Sequence, residues 1–407
     1  MPEPLSASSL NRAAQILARL PPQGAVADVL RRELTPRRDL PPAERRAVAA
    51  AIAAWFRWQR WLDPATPRAR QLGEAVRLQA RFDRAPGEFK AETLAARAVP
   101  GWLADAMDAL PPPWLRQLQR EPALWIRARQ ADAAALPAAL GDCVPAPGPL
   151  APGGGPPTAL RYRGTRDLFL TPQFHEGRFE IQDLASQLVG HACAPRPGET
   201  WWDACAGEGG KTLHLADLMH NRGLIWATDR SARRLQVLKK RAARAGVFNY
   251  RTAAWNGGPR PPVKTRFDGV LVDAPCSGIG TWQRHPQARW TTTPADVEEL
   301  AAVQRRLLDA AAGSLKPGGR LIYAVCTLTR AETAGMAAEF TSRHPEFVPA
   351  AVFPEAGDRK PATGNSESSR PDPPSPAAGL RSLSSVLLWP HELDASGMFI
   401  AAWTKAA

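Results

Sequence analysis

The segment Phe267–Trp290, FDGVLVDAPCSGIGTWQRHPQARW, constrains the fold of this chain more than any other. Gly269–Val272 is a short apolar run that ends in Asp273, and Pro275 has no amide to donate to a ladder, so a strand must stop there and the chain must turn. Open α/β sheets hold ligands at the carboxyl ends of their strands, so the turn predicts Asp273 and Cys276 at such an edge. Gly278 and Gly280 allow backbone to pass close to a substrate, and Arg284, His285, Arg289 and Trp290 are expected to add charge and a stacking face. A lone free cysteine is more often a small buried hydrophobe. The order Asp-Ala-Pro-Cys-Ser-Gly is not needed for that purpose.

The flanking sequence supplies the rest of an α/β sheet. Glu180–His191 has helical periodicity, Glu199–Ala204 reads as a strand, and Gly207-Glu208-Gly209-Gly210-Lys211-Thr212 is a glycine-rich turn that opens a helix over Leu213–Met219. Strand, glycine turn and helix make a nucleotide-binding unit, in which free amides at a helix N-terminus meet the ligand. The spacing differs from that of the phosphate-binding loop of NTPases, which disfavours NTP hydrolysis. A second strand, Leu224–Thr228, ends in Asp229, where such folds grip a ribose diol. Helices are predicted over Ala232–Ala245, with a loop following to Trp255-Asn256, and over Pro294–Ser314, which stops at Pro317-Gly318-Gly319. A strand Arg320–Val325 then ends in Cys326-Thr327, and Gly397–Trp403 reads as a closing strand. Residues 176–407 are therefore expected to form a Rossmann-like, doubly wound, mostly parallel sheet, with a Pro/Ser/Gly-rich, disordered insertion at 355–380.

Residues 1–110 have a different character. They are rich in Ala, Leu and Arg, with apolar residues at helical spacing (Ala13, Ile16, Leu17, Leu20; Val48, Ile52, Trp55, Phe56, Trp61) and prolines as punctuation, which predicts an all-helical domain. At this spacing the aromatics are expected to face a core, with the neighbouring arginines as candidates for phosphate contact. Residues 111–175 predict a small α+β domain with a helix at Trp114, strands at Leu124–Arg129, Ala159–Tyr162 and Leu168–Leu170, a helix at Asp132–Leu140 and a Pro/Gly-rich loop over Pro145–Pro157.

Charge bears on partners. Lys and Arg number 52 against 39 Asp and Glu, a net charge of +13, which favours a polyanion such as nucleic acid. The five cysteines include no CxxC pair, so neither a zinc site nor a disulfide framework is indicated, and a reducing compartment fits best. No apolar stretch reaches membrane-spanning length. A monomeric cytoplasmic protein without membrane or metal is expected.

Taken together, these stretches resemble the Sun-type RNA cytosine-5 methyltransferases, and among them the bacterial ribosomal small-subunit enzymes. The likeness covers nearly the whole chain. It runs through RRDLPPAERRAVAAAIAAWFRWQRWLD, PALWIRARQ, GRFEIQDLASQL, DACAGEGGKT, DAPCSGIGTWQRHP, YAVCTLTRAET and GMFIAAW. The resemblance implies a NusB-like RNA-binding fold for the helical domain, S-adenosylmethionine as cofactor, and RNA, ribosomal RNA by preference, as partner. It also implies that Cys326 adds to cytosine C6, that Cys276 assists loss of the C5 proton and product release, that Asp273 binds the N3/amino edge of the base, and that Lys211 lowers a thiol pKa or orients the base. The cofactor would be held by Cys205, Ala206, Gly207, Glu208, Gly209, Gly210, Lys211, Asp229, Asn256 and Asp273. The family pattern Cys-Ala-Ala-Pro-Gly-Gly-Lys is altered at Gly207-Glu208, Asn256 stands at or near the place of an acidic residue, and the Glu-Asn pair after the nucleophile is Glu332-Thr333. Transfer-RNA modification by the same chemistry and a non-catalytic assembly factor are the alternatives.

Overall fold

The structure is a computed structural model that describes residues 6–20, 29–30, 33–34, 41–146, 158–354 and 383–407. The expected insertion at 355–380 and most of the loop expected over 145–157 lie outside the described residues. The chain divides into two units, one of residues 1–122 with 278–296, the other of residues 123–277 with 297–407.

The first unit is helical among its described residues. Its main helices are Ala7–Ala18, Pro42–Trp58 and Arg68–Arg84. Ser6 caps the first by accepting the Ser9 amide, and proline stands in the first turn of the second, where its missing N–H is no loss. Ala13, Ile16, Leu17, Val48, Ile52 and Leu72 form the core. The one fully buried aromatic of Pro42–Trp58 is Trp58, tilted against Phe82 and Phe89, while Trp55, Phe56 and Trp61 are only half-buried.

Segment 278–296 adds Trp282 and Arg289 to the interior of this unit. Arg289 donates to Gln119 Oε1 (3.1 Å), to the Ala98 carbonyl (3.4 Å) and to the carbonyls of Leu118 and Trp282. Burial, and then the nearby Arg57 charge, push its guanidinium well below the usual arginine range. Trp290 donates its Nε1–H to the Phe56 carbonyl at 2.8 Å. The sequence reading of Arg289 as a surface charge is thus corrected: its donors are consumed by backbone carbonyls that the helix ends leave over.

The second unit contains two sheets. The smaller is antiparallel, ordered β2-β3-β1-β4, with β1 Leu124–Ala128, β2 Cys143–Pro145, β3 Ala159–Tyr162 and β4 Phe179–Ile181. Two expectations fail here. Leu168–Leu170 is a 3₁₀ turn, capped by the Asp167 carboxylate on the Phe169 amide. Glu180 and Ile181 are in a strand, and the helix begins only at Leu184, because Asp183 caps it by accepting the Ala185 amide.

The larger sheet comprises β5 Thr200–Asp203, β6 Leu224–Asp229, β7 Tyr250–Ala254, β8 Phe267–Asp273, β9 Leu315–Val325, β10 Phe347–Pro349, β11 Ser385–Leu388 and β12 Met398–Lys405. Its order is β10-β12-β9-β8-β5-β6-β7, with β11 beside β12. The five strands β9, β8, β5, β6 and β7 are parallel, whereas β12 runs antiparallel to β9, so the sheet is mixed. Strand alternation sends Trp201, Ile225, Leu271 and Ile322 to one core and Trp202, Val270, Val272 and Tyr323 to the other. From β5 the chain goes outward to β6 and β7 and then returns to β8. The order reverses between β5 and β8, the place where such sheets bind ligands. No helix among the described residues is long and apolar enough to cross a membrane.

Candidate active site

The turns after β5 and β8 flank this switch point. After β5, Gly207 and Gly209 have φ of +56° and +86°. A Cβ at Gly209 would lie 2.5 Å from Leu238 Cγ, so that position admits only glycine, and the left-handed φ at Gly207 favours glycine there too. The turn leads into the helix Gly210–Leu218, whose first-turn amides have no partner within the helix. Asp229, at the end of β6, accepts the Gly207 amide (3.0 Å) and an Arg234 N–H (3.3 Å) on Oδ2 and the Ser231 amide (2.8 Å) on Oδ1. Glycine turn and strand-end carboxylate thus meet as expected, and the carboxylate retains lone-pair capacity for a diol. Glu208 is exposed, and Asn256, just past β7, is exposed with its Oδ1 accepting the Gly258 amide at 3.2 Å.

At the ends of β8 and β9, Lys211 Nζ lies 2.6 Å from Asp273 Oδ2, and Cys276 Sγ lies 3.4 Å from Cys326 Sγ. Burial works against the Lys211 charge, but the Asp273 carboxylate outweighs it and leaves the ammonium above its usual range. The hydrogen bond from Cys276 lowers the Cys326 thiol below its ordinary value, helped by Lys211 and opposed by burial and Asp273. Burial pushes the Cys205 and Cys193 thiols up, so neither is a thiolate nucleophile. Among the described residues no group of His, Cys, Asp and Glu could hold a metal ion.

Polar residues outside the expected catalytic and cofactor sets complete the arrangement. Glu332 is fully buried, and its carboxylate accepts five hydrogen bonds among the described residues. Oε1 takes the Ser277 amide (2.8 Å) and Gln304 Nε2 (3.0 Å), and Oε2 takes the hydroxyls of Thr329 (2.8 Å), Thr327 (3.2 Å) and Ser277. Gln304 also donates to the Pro275 carbonyl at 2.9 Å. Tyr323 OH sits 2.9 Å from Gln304 Oε1 and 2.7 Å from the Glu332 carbonyl. Ser277 follows one thiol and Thr327 the other, so one carboxylate ties both thiol-bearing turns together. The only sequence signal for Glu332 was its place in the Glu-Thr pair six residues after Cys326. Below the glycine turn, Asp203 is fully buried; Thr212 donates to its Oδ2 at 2.6 Å and its Oδ1 has no protein partner.

A sheet reversing between β5 and β8, with a glycine turn, a strand-end carboxylate and the antiparallel strand β12, defines an α/β methyltransferase fold. The solved structure entitled "Crystal Structure of PH0851" superposes with a TM-score of 0.75 at 22% identity, covering 98% of this chain and 99% of that one, a likeness of fold. A methyltransferase homologue from Pyrococcus horikoshii superposes with a TM-score of 0.55 at 25% identity, over 72% of this chain and 90% of that one. Residues 191–404 match the model of the family described as 16S rRNA methyltransferase RsmB/F, and the chain belongs to that family. It is 40% identical over 199 residues to the "Probable ribosomal RNA small subunit methyltransferase B" of Synechocystis (47% of this chain, 44% of the relative). It is 34% identical over 276 residues to the ribosomal RNA small subunit methyltransferase B of Shewanella oneidensis (63% and 60%). It is 35% identical over 189 residues to the human tRNA (cytosine(72)-C(5))-methyltransferase NSUN6 (42% and 40%). The chain thus spans about half the length of the curated relatives it matches.

Proposed function

We propose that this chain methylates C5 of cytosine in RNA, with small-subunit ribosomal RNA as the preferred substrate, through a covalent bond from Cys326 to cytosine C6. The observation that carries this reading is the pair of strand-end thiols 3.4 Å apart beside the Lys211–Asp273 ion pair. The donors fit S-adenosylmethionine: the Asp229 carboxylate suits its ribose diol, and the first-turn amides after Gly209 suit its polar tail. When bound, that cofactor supplies the methyl group.

The side chains supply the remainder of the chemistry. Cytosine C5 is a weak nucleophile. Addition of the Cys326 thiolate forms an S–C6 bond and moves the C5–C6 electron pair to C5, where the new C–C bond is made. Asp273 and Lys211 hold the N3/amino edge, where charge accumulates as the adduct forms. With Cys326 held as a thioether, Cys276 releases its own proton to water and, as the thiolate, takes the C5 proton; the C5–C6 double bond re-forms and the Cys326 thiolate leaves.

Replacing Cys276 with Ala, with Cys326 intact, tests the scheme. Without a positioned base, proton loss must wait for solvent, so the adduct accumulates as a slow-migrating protein–RNA band on denaturing gels, absent from the C276A/C326S double variant. Normal turnover of C276A with no band would refute the assignment. The likeness to the human transfer-RNA enzyme favours a second substrate, and methyl transfer to small-subunit ribosomal RNA and to transfer RNA, compared side by side, decides between them.

A further inference from the structure

The charge of this chain is not spread evenly. Residues 230–267 contain eleven Lys and Arg and no Asp or Glu, against a net charge of +13 for the whole chain. Within this stretch lie the helix Ala232–Arg244 and β7, the edge strand of the parallel part of the sheet. Three of the cations are paired inside the unit: Arg234 with Asp229, and Arg241 and Arg244 with Glu180. Arg230, Arg233, Lys239 and Lys240 are exposed.

Helix stability does not account for these four. Cations in the last turn complement the helix dipole, but Arg230 and Arg233 stand at the N-terminus, where positive charge opposes it. A solvated surface helix commonly interleaves both signs, and this one has no carboxylate at all. At about 100° per residue, Arg233, Lys240 and Lys239 share an arc of about 120° with Gln236 and Ala243, separate from the arc of the buried Leu235, Leu238 and Ala242. The chain leaves the helix through Phe248, which is 75% exposed, and enters β7.

We infer that the outer face of the helix Ala232–Arg244, with Phe248 following it, binds the sugar-phosphate backbone of the RNA substrate; this rests on the reading of the chain as an RNA methyltransferase. Position supports it. The helix starts from the carboxyl end of β6, on the same sheet edge as Cys326 at the end of β9. Three strand spacings separate them, about 14 Å. An RNA strand that delivers a base to the thiols can therefore run on along the basic helix, with Phe248 as a stacking group.

The test is R233Q/K239Q/K240Q, which removes three exposed charges and keeps a good helix former at each position. The probe is a fluorescein-labelled RNA hairpin with cytosines in its loop, followed by anisotropy across a salt series, with S-adenosylmethionine affinity and thermal unfolding measured in parallel. RNA affinity should fall about tenfold at ~50 mM salt, and the slope of log K against log salt should flatten by about 2, as three lost phosphate contacts require. Cofactor affinity and the unfolding midpoint should not move. An unchanged slope and affinity in a variant that folds and binds cofactor, while the wild type binds the hairpin, would overturn the inference alone and leave this face to a protein partner. A wild type that binds the cofactor but no RNA at any salt would overturn both the inference and the RNA methyltransferase reading.

Discussion

Glu332 Oε1 accepts the amide of Ser277 at 2.8 Å across 55 residues of sequence, and its Oε2 receives the Thr327 hydroxyl at 3.2 Å. The separation of the two thiols therefore rests on a carboxylate that touches neither. In E332Q the side-chain amide would aim its own N–H groups at hydroxyl and amide donors, leaving buried donors without acceptors. The variant should lose about 2 kcal/mol of stability. Its turnover should fall while cofactor affinity holds, with partial rescue by E332D. Thermal unfolding, turnover and cofactor titration check this. Equal turnover of E332Q and wild type would make Glu332 a stability residue only.

Cys326 acquires its thiolate at lower pH than an ordinary thiol, chiefly through the Cys276 hydrogen bond and less through Lys211. The pH midpoint for its alkylation by iodoacetamide should therefore rise in both C276A and K211M, and more in C276A. The reverse order would assign the larger influence to the ammonium.

Asp229 holds the glycine turn and is placed for the cofactor ribose. D229A should weaken S-adenosylmethionine binding by about 1.5–3 kcal/mol, the range for hydrogen bonds to a charged group. Calorimetric titration with unchanged affinity would remove it from the site.

Burial, only partly offset by the Thr212 hydrogen bond, raises the Asp203 carboxyl to about 7. The folded state holds this proton more tightly than the unfolded chain, whose aspartate titrates near ~4. Its contribution to stability is therefore complete below pH ~4 and is lost as the pH rises through ~7, by at most about 4 kcal/mol. D203N should lack this decline, so its melting temperature relative to wild type should be higher at pH 8 than at pH 5. Parallel melts at the two values check it.

Much of the second unit was legible in the chain order. Pro317-Gly318-Gly319, expected to stop a helix, lies inside β9, the helix having ended at Ala312, but Pro275 ends a strand, the apolar runs of β5, β6, β8 and β12 are dense enough to read as buried strands, and the glycines at 207 and 209 mark a left-handed turn. Such signals are local, since backbone sterics and side-chain periodicity act over a few residues. The edge strand β7 was missed because Tyr-Arg-Thr-Ala-Ala has little apolar content of its own and is ordered by pairing with β6. Arg289 misled for a related reason. An arginine beside a site reads as a surface charge until distant backbone carbonyls are seen to surround it. Only the tertiary structure could decide that Cys276 and Cys326, 50 residues apart, stand 3.4 Å from each other, and that Glu332 joins their turns. Those contacts depend on parallel pairing of β8 with β9 and on burial of polar groups, whose partners are chosen by proximity in the folded chain rather than by spacing along it.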